Sequence, residues 1–569
     1  MNRNALFTAA IVGLALAGCE SGDINIQPST TVQDSNNTIN EGGGGTPVEQ
    51  CASYVNDSGQ TIAGTADGDN CRYGPQFASN ILPVENDLLI PALPNGGAHI
   101  FESSLFIGRT CGDDACLQAA GITQGGDGPT LTIEAGATLA FRSSSDFLVV
   151  NRGSQIVAVG TADAPITITS ESDVNGTLPD PEAVQQWGGM DINGFGVTNK
   201  CEYTGTRGVD LALVGECHVD SEGSAGNDEN QYGGANDDDS SGSLQYVVVK
   251  HTGATVGNGD ELNGITFGAV GRNTEVSNLQ MYSTFDDGIE MFGGAVNFDN
   301  YVALYVRDDS IDVDEGWTGT INNALVIQQA TDGNHCIEAD GIGSFSSQDP
   351  AVVEDFITRG LNSSMTINNL TCIFSGNGPS TQTHDPGAGF RLREGLGGAI
   401  NNSLVVGTFS QTNAEGDDDN YCLRIDNRSQ GLALDGNLQL NSLLWSCGQN
   451  MRGQNLIDEN GVDSGITEEQ FAINSGNAFQ TVPNAPNGDA FSPTAVADTD
   501  LQILGGALSY LSLEFAASQI NMAAAPATAA PTSGTHLGGV QEAGTDWTLG
   551  WTYGIHDGSR GQPLWIEGL

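Results

Sequence analysis

Short runs of alternating apolar and polar residues fill most of the chain, and they recur at a fixed spacing. Val276-Ser-Asn278-Leu-Gln-Met281, Phe298-Asp-Asn300-Tyr-Val-Ala303 and Ile321-Asn-Asn323-Ala-Leu-Val326 share one frame, with the asparagines 22 and 23 residues apart. The frame returns at Ile367-Asn-Asn369-Leu-Thr-Cys372, at Ile400-Asn-Asn402-Ser-Leu-Val405 and, varied, at Gln439-Leu-Asn441-Ser-Leu-Leu444. Alternation with period two marks a strand with one buried face. Its repetition every 22 to 26 residues predicts an all-β solenoid in which each repeat is one coil. Asparagine suits the corner of such a coil, because it tolerates left-handed backbone angles and can hydrogen-bond to its copy in the next coil.

A second column runs in step with the first. Asp286-Asp-Gly-Ile289-Glu290 and Asp308-Asp-Ser-Ile311-Asp312-Val-Asp314 are 22 residues apart at every matched position, and His335-Cys-Ile337-Glu338-Ala-Asp340 follows 26 later. Gly389-Phe390-Arg391-Leu-Arg393 and Cys422-Leu423-Arg424 continue it. Because strand side chains alternate, the apolar member of each unit is expected inside the solenoid, and Glu290, Asp312, Glu338, Arg391 and Arg424 on one outer face. Coils stack ~4.8 Å apart. Asp287 over Asp309 and Glu290 over Asp312 would then repel by roughly 3 kcal/mol per pair at an effective dielectric of about 20. A hard cation such as Ca2+, protonation of one member, or plain solvation would relieve this. The candidate cation ligands are Asp287, Glu290, Asp309, Asp312 and Asp314, beside a candidate binding face of Glu338, Asp340, Arg391, Arg393 and Arg424.

Other chemistry is sparse. Asp237-Asp-Asp-Ser-Ser-Gly242 is a second acidic turn that could hold Ca2+, without the spacing of an EF-hand loop. His251, His335 and His384 are scattered, no nucleophile and base can be paired from chain order, and no catalytic residue is assigned. Trp187, Trp547 and Trp551 read as packing residues of the solenoid or its cap. Nothing points to an organic cofactor.

Composition and the termini place the protein. Its 78 glycines suit tight corners, and a net charge of −54 with only Lys200 and Lys250 as lysines argues against nucleic acid, whose phosphates need cationic partners. The start combines Met1-Asn-Arg3-Asn, an apolar run from Ala5 to Ala15 too short to span a bilayer, and Leu16-Ala17-Gly18-Cys19. This resembles the lipobox of bacterial lipoproteins, which implies cleavage before Cys19 and acyl chains, palmitate among them, on that cysteine. Glu20 resembles the signal for outer-membrane rather than inner-membrane retention. A lipid anchor in the outer membrane is expected, on its periplasmic or cell-surface side. Ten cysteines remain for disulfides in an oxidising compartment, an even number: Cys51, Cys71, Cys111, Cys116, Cys201, Cys217, Cys336, Cys372, Cys422 and Cys447.

Leu131-Thr-Ile-Glu-Ala-Gly136, Gly160-Thr-Ala-Asp-Ala-Pro-Ile-Thr-Ile-Thr-Ser170, Trp187-Gly-Gly189, Asp286-Asp-Gly-Ile-Glu290, Asp308-Asp-Ser-Ile-Asp-Val-Asp-Glu-Gly316, Gly389-Phe-Arg-Leu-Arg-Glu-Gly395 and Asp546-Trp-Thr-Leu-Gly-Trp551 together resemble the right-handed parallel β-helix lipoproteins and secreted surface proteins of marine Gram-negative bacteria and Bacteroidetes. The resemblance implies a right-handed parallel β-helix and a surface location, and it carries over no catalytic residues. The expected organisation is a signal peptide over 1–18, a lipidated tether over 19–50, a disulfide-stapled cap over 51–85, the β-helix over 86–450 and a capping or appended segment over 451–569. The expected function is non-enzymatic binding or surface interaction with Ca2+ held by the acidic column, the partner being an extracellular polysaccharide or an outer-membrane protein. A Ca2+-dependent polysaccharide lyase or glycoside hydrolase, by fold analogy with the pectate lyases and with Arg391 and Arg393 as the basic residues, is the alternative. A purely structural surface protein is a third.

Overall fold

The computed structural model describes residues 51–222, 230–255, 261–330, 332–374, 387–407, 421–446, 453–479 and 546–556, with a few isolated positions besides. The signal, Cys19 and the tether, together with His384 and Cys447, lie outside the described residues.

The repeats form a parallel β-helix. One side is a nine-stranded, wholly parallel sheet of Leu105–Ile107, Phe147–Val150, Gly189–Asn193, Ile265–Gly268, Ile289–Phe292, Ile311–Asp314, His335–Asp340, Ala388–Arg393 and Leu423–Ile425, stacked in chain order. The rest of each coil belongs to an eighteen-stranded sheet, parallel but for a short antiparallel pairing of Thr65–Asp67 with Asn70–Tyr73. Its central strands, Glu275–Tyr282, Asn297–Leu304 and Thr320–Ile327, each turn a corner in mid-strand. The corner residues are Asn278, Asn300 and Asn323, with φ of 52°, 63° and 58°. Left-handed angles at these positions swing the strand so that Val276, Leu279 and Met281, and their counterparts in the next coils, all reach one continuous core.

The asparagine ladder forms as the repeat requires. Asn300 donates to Asn278, Asn323 to Asn300 and Asn369 to Asn323, each at 3.1 Å, and Asn402 donates to Asn369 at 2.6 Å. A second ladder climbs beside it from Asp299 through Asn322, Asn368 and Asn401 to Asn441, each step 2.8 to 2.9 Å. Replacing Asn323 removes one donated and one accepted bond and, for alanine, adds left-handed strain. The expected cost of Asn323→Ala is about 2 to 3 kcal/mol, and of Asn323→Gly somewhat less. An unchanged chemical-unfolding midpoint for both variants would mean that the ladder does not hold the register.

Cysteines pair as Cys51–Cys71, Cys111–Cys116, Cys201–Cys217 and Cys336–Cys372, and Cys422 is also disulfide-bonded. The first closes on an aromatic cluster of Tyr54, Tyr73, Phe77 and Phe101 at the N-terminal end. At the other end, the helix Glu468–Asn474, capped by Thr467, places Phe471 and Ala472 against the core, and Glu468 accepts the Ile425 amide at 2.9 Å.

The last described segment does something different. The outward side chains Val302, Leu304, Leu325 and Ile327 of the central strands are apolar, and Val540, Trp551 and Ile555 cover them. Gln280 fixes this strap by bonding both backbone groups of Tyr553, at 2.8 and 2.7 Å. Trp551 is therefore a packing residue, 3% exposed, as its sequence context suggests.

Candidate cation-binding site

The nine-stranded sheet aligns one outward row. Asp191, Thr266, Glu290, Asp312, Glu338, Arg391 and Arg424 are successive register partners. The row expected on one face, Glu290 through Arg424, is therefore a row in space. Asp287 and Asp309 sit two residues ahead of the strands Ile289–Phe292 and Ile311–Asp314, at the corner where each coil enters the sheet.

The face is not a solvated surface. Asp286, Asp287, Glu290, Asp309, Glu338 and Asp340 are all buried, at 3 to 9% exposure, although they point away from the apolar core. Part of the cover is the long excursion between Asn193 and Gly242. From it Tyr232 donates to Glu315 at 2.7 Å, Arg207 donates to Gly294 O at 2.9 Å and to Gly316 O, and Asn230 donates to Asp191. Burial pushes Asp287, Glu290, Asp309, Asp312 and Asp314 well above the ordinary carboxylate range, and mutual repulsion adds to it: Asp286 and Asp312 act on Asp287, Glu222 on Glu290, and Glu338 on Asp309 and Asp312. Against burial, His335, Arg393 and Arg391 hold Glu338 down at about 2.

Within this cluster Asp287, Asp309 and Asp312 each bring a carboxylate oxygen within 4.8 Å of the other two. Ca2+ binds oxygens at about 2.3–2.6 Å, so oxygens on one ion lie within about 5 Å of each other. Asp312 Oδ1 is buried and has no hydrogen-bond partner, which leaves it for such an ion. Three carboxylates are half of a Ca2+ shell, and water or carbonyl oxygens would complete it. Glu290 is engaged differently, accepting from Asn263 at 2.6 Å. Asp314 lies further along its strand, where its carboxylate takes the Glu315 amide at 2.5 Å. A neighbouring trio, Glu261, Asp286 and Asp308, is held to the same spacing.

The basic half of the face is internally paired. Arg391 and Arg393 both reach Glu338 at 3.0 Å, Arg393 reaches Asp340 at 2.5 Å, and Arg424 reaches Asp426 at 2.5 Å. The acidic turn is likewise satisfied without a metal. Asp237 is gripped by Arg207 at 2.7 and 2.8 Å, and Asp239 accepts the Gly125 amide at 2.7 Å.

A model of the pectate-lyase-like β-helix domain family matches residues 113–481, more than half of the chain and the whole of this site. The chain belongs to that family. No curated protein and no solved structure matches it.

In this β-helix family member the residue that chain order hid is His335. It is the register copy of Asp309, both lying three residues before a paired carboxylate, Glu338 and Asp312. Its Nδ1 is hydrogen-bonded to Asp309 at 2.8 Å and its Nε2 to the Tyr421 hydroxyl at 2.7 Å. Burial lowers it to about 4, so the ring is neutral at pH 7, in keeping with one nitrogen donating and the other accepting. The 26-residue offset that relates Asp312 to Glu338 also relates Asp309 to His335, and that was the available signal. Asn263 had none, since it lies outside the repeated frame.

Proposed function

We propose that this protein is a lipid-anchored surface protein, tethered through Cys19 to the outer membrane, whose β-helix holds Ca2+ or another hard divalent cation between Asp287, Asp309 and Asp312. The cation stiffens the acidic face, and the stiffened face engages an extracellular polysaccharide or an outer-membrane protein. The observation that carries this reading is the convergence of the carboxylates of buried Asp287 and Asp309 and half-buried Asp312, the last with an enclosed oxygen that makes no hydrogen bond, in a site that burial makes unfavourable for charge. Metal analysis of protein purified without chelators is expected to find a divalent cation. Calorimetric titration of the stripped protein with Ca2+ is expected to give an affinity that Asp312→Asn weakens tenfold or more. Ca2+ binding that is equally strong in Asp312→Asn and Asp309→Asn would sink the assignment.

A Ca2+-dependent polysaccharide lyase or hydrolase is the second reading, favoured by the hydrogen-bonded chain of Asp309, His335 and Tyr421, a carboxyl, imidazole and hydroxyl in the sequence an acid–base relay needs. Pairing of Arg391 and Arg393 within the protein weighs against it, because those cations are already committed to Glu338 and Asp340. Cleavage of a uronate-containing polymer that His335→Ala abolishes would establish the enzyme over the binding protein.

A further inference from the structure

Asp309 belongs to a second cluster besides the one it forms with Asp287 and Asp312, and this one contains an imidazole. Asp309, His335 and Glu338 each bring a ligand atom within 4.8 Å of the other two. All three are buried, at 3%, 3% and 8% exposure, so packing fixes the trio. The register explains the convergence: Glu338 pairs with Asp312 of the preceding coil, and His335, three residues earlier, enters the corner over Asp309. His335 Nδ1 stands 2.8 Å from Asp309 Oδ1 and 3.9 Å from Glu338 Oε2. A single N–H serves only the first of these carboxylates, whereas a metal ion would hold both.

An ion of the Zn2+ class binds imidazole nitrogen and carboxylate oxygen at about 2.0–2.2 Å, which sets ligand atoms on one ion about 3 to 4 Å apart. The two distances from Nδ1 match that spacing. Ca2+ would not select this set, because hard cations take oxygen while imidazole suits first-row transition metals. Glu338 keeps an oxygen for the ion, since Arg391 and Arg393 both sit on Oε1 and it is Oε2 that turns towards the ring. The far nitrogen, Nε2, is held at 2.7 Å by the Tyr421 hydroxyl, a group that can accept as well as donate. Metal-bound histidines are oriented by such a second partner.

Another trio shows why that partner matters. Asp114, Glu216 and His218 meet the same spacing, but there Arg152 occupies His218 Nδ1, and a guanidinium only donates. The proton of the neutral ring is then forced onto Nε2, the nitrogen that faces the carboxylates at 3.0 and 3.7 Å, and a metal is shut out. At His335 the far partner is a hydroxyl, so the proton can move to Nε2 and leave Nδ1 to the ion.

We propose that Asp309, His335 and Glu338 form a binding site for a first-row transition-metal dication, with Tyr421 positioning the imidazole. Asp309 has two oxygens and can serve this site and the Ca2+ site together, yet neither assignment requires the other. The test is calorimetric titration of the chelator-stripped full chain with Zn2+, without and with millimolar Ca2+. Zn2+ is expected to bind in both conditions, with an affinity that falls tenfold or more in His335→Ala and about tenfold in Tyr421→Phe. Asp312→Asn is expected to leave Zn2+ binding unchanged, and His335→Ala to leave Ca2+ binding unchanged. Should His335→Ala not fold, X-ray absorption at the zinc edge of the native protein gives the second readout, where one imidazole among oxygen ligands is expected. No Zn2+ binding, full Zn2+ affinity in the folded His335→Ala variant, loss of Zn2+ binding in Asp312→Asn or an all-oxygen shell overturns the proposal. Zn2+ held through His335 in a protein that binds no Ca2+ would support it and overturn the Ca2+ site alone.

Discussion

The cation-free protein is expected to be less stable at pH 8 than at pH 5, and Ca2+ is expected to erase the difference. Asp287, Glu290, Asp309 and Asp312 titrate well above the ordinary carboxylate range when folded. Asp191 is raised by burial to about 7. Between the unfolded value near 4 and the raised folded values, the native state binds more protons than the unfolded chain, so stability falls as pH rises. The contribution of these groups is complete below about pH 4 and is lost as pH climbs through neutrality. Asp191 alone, shifted by about three units at 1.36 kcal/mol each, accounts for at most about 4 kcal/mol. Glu338 works in the other direction. Held at about 2, it stabilises above pH 4 and loses that contribution as pH falls towards 2, while His335 and His251, lowered by burial to about 4, withdraw stability as pH falls from about 6.5 towards 4 and so oppose the raised carboxylates over that range. A divalent cation replaces the protons with a charge that does not titrate away, adding stability by mass action. Melting curves at pH 5 and 8, with chelator and with millimolar Ca2+, are expected to show a drop of about 5 °C or more at pH 8 that only the chelated sample suffers. A chelated protein equally stable at both pH values would contradict the burial of these carboxylates as uncompensated charge.

The second large effect is expected at the Cys336–Cys372 bridge. Both cysteines are fully buried in the main core, and the bond crosses the interior from the strand His335–Asp340 of the acidic sheet to Ser364–Phe374 opposite. Its 36-residue separation corresponds to about 4 kcal/mol of denatured-state constraint in the chain-entropy account. Cys336 also stands beside His335 and two residues from Glu338, so the bridge anchors the strand that supplies both. The double variant Cys336→Ala/Cys372→Ala is expected to lose about 2 to 5 kcal/mol. Coils contact chiefly their neighbours, so the loss should appear locally. Hydrogen exchange is expected to speed up in residues 335–340 and 364–374 and to change little near Leu105–Ile107. Uniform exchange, or unaltered protection in the stapled strands, would rule out a local anchoring role.

Much of this molecule was legible because a solenoid writes its tertiary contacts at a constant sequence offset. Asn278, Asn300 and Asn323 meet for the same reason that Glu290 lies against Asp312: neighbouring coils have equal lengths, so equal positions stack. The divergence appears where a coil carries an insertion. The excursion from Asn193 to Gly242 has no repeat, and it supplies part of the cover, bringing Asn230 to Asp191 and Tyr232 to Glu315. Alternation distinguishes the inside from the outside of a strand but says nothing about a second layer over it. The apolar outer positions Val302, Leu304, Leu325 and Ile327 carried the same message, since a strand apolar on both faces needs a cover.

The sequence by itself determined the parallel β-helix, the asparagine ladder and the order Glu290, Asp312, Glu338, Arg391 and Arg424 along one face, because all three follow from periodicity. Only the tertiary structure decided that Glu290 and Glu338 on this face are buried while Asp312, Arg391 and Arg424 are half-buried, that Asp287, Asp309 and Asp312 converge while Glu290 turns to Asn263, and that the arginines are spent on Glu338, Asp340 and Asp426. Those outcomes depend on side-chain direction and on insertions packing across coils, and both are free of the repeat that made the rest readable.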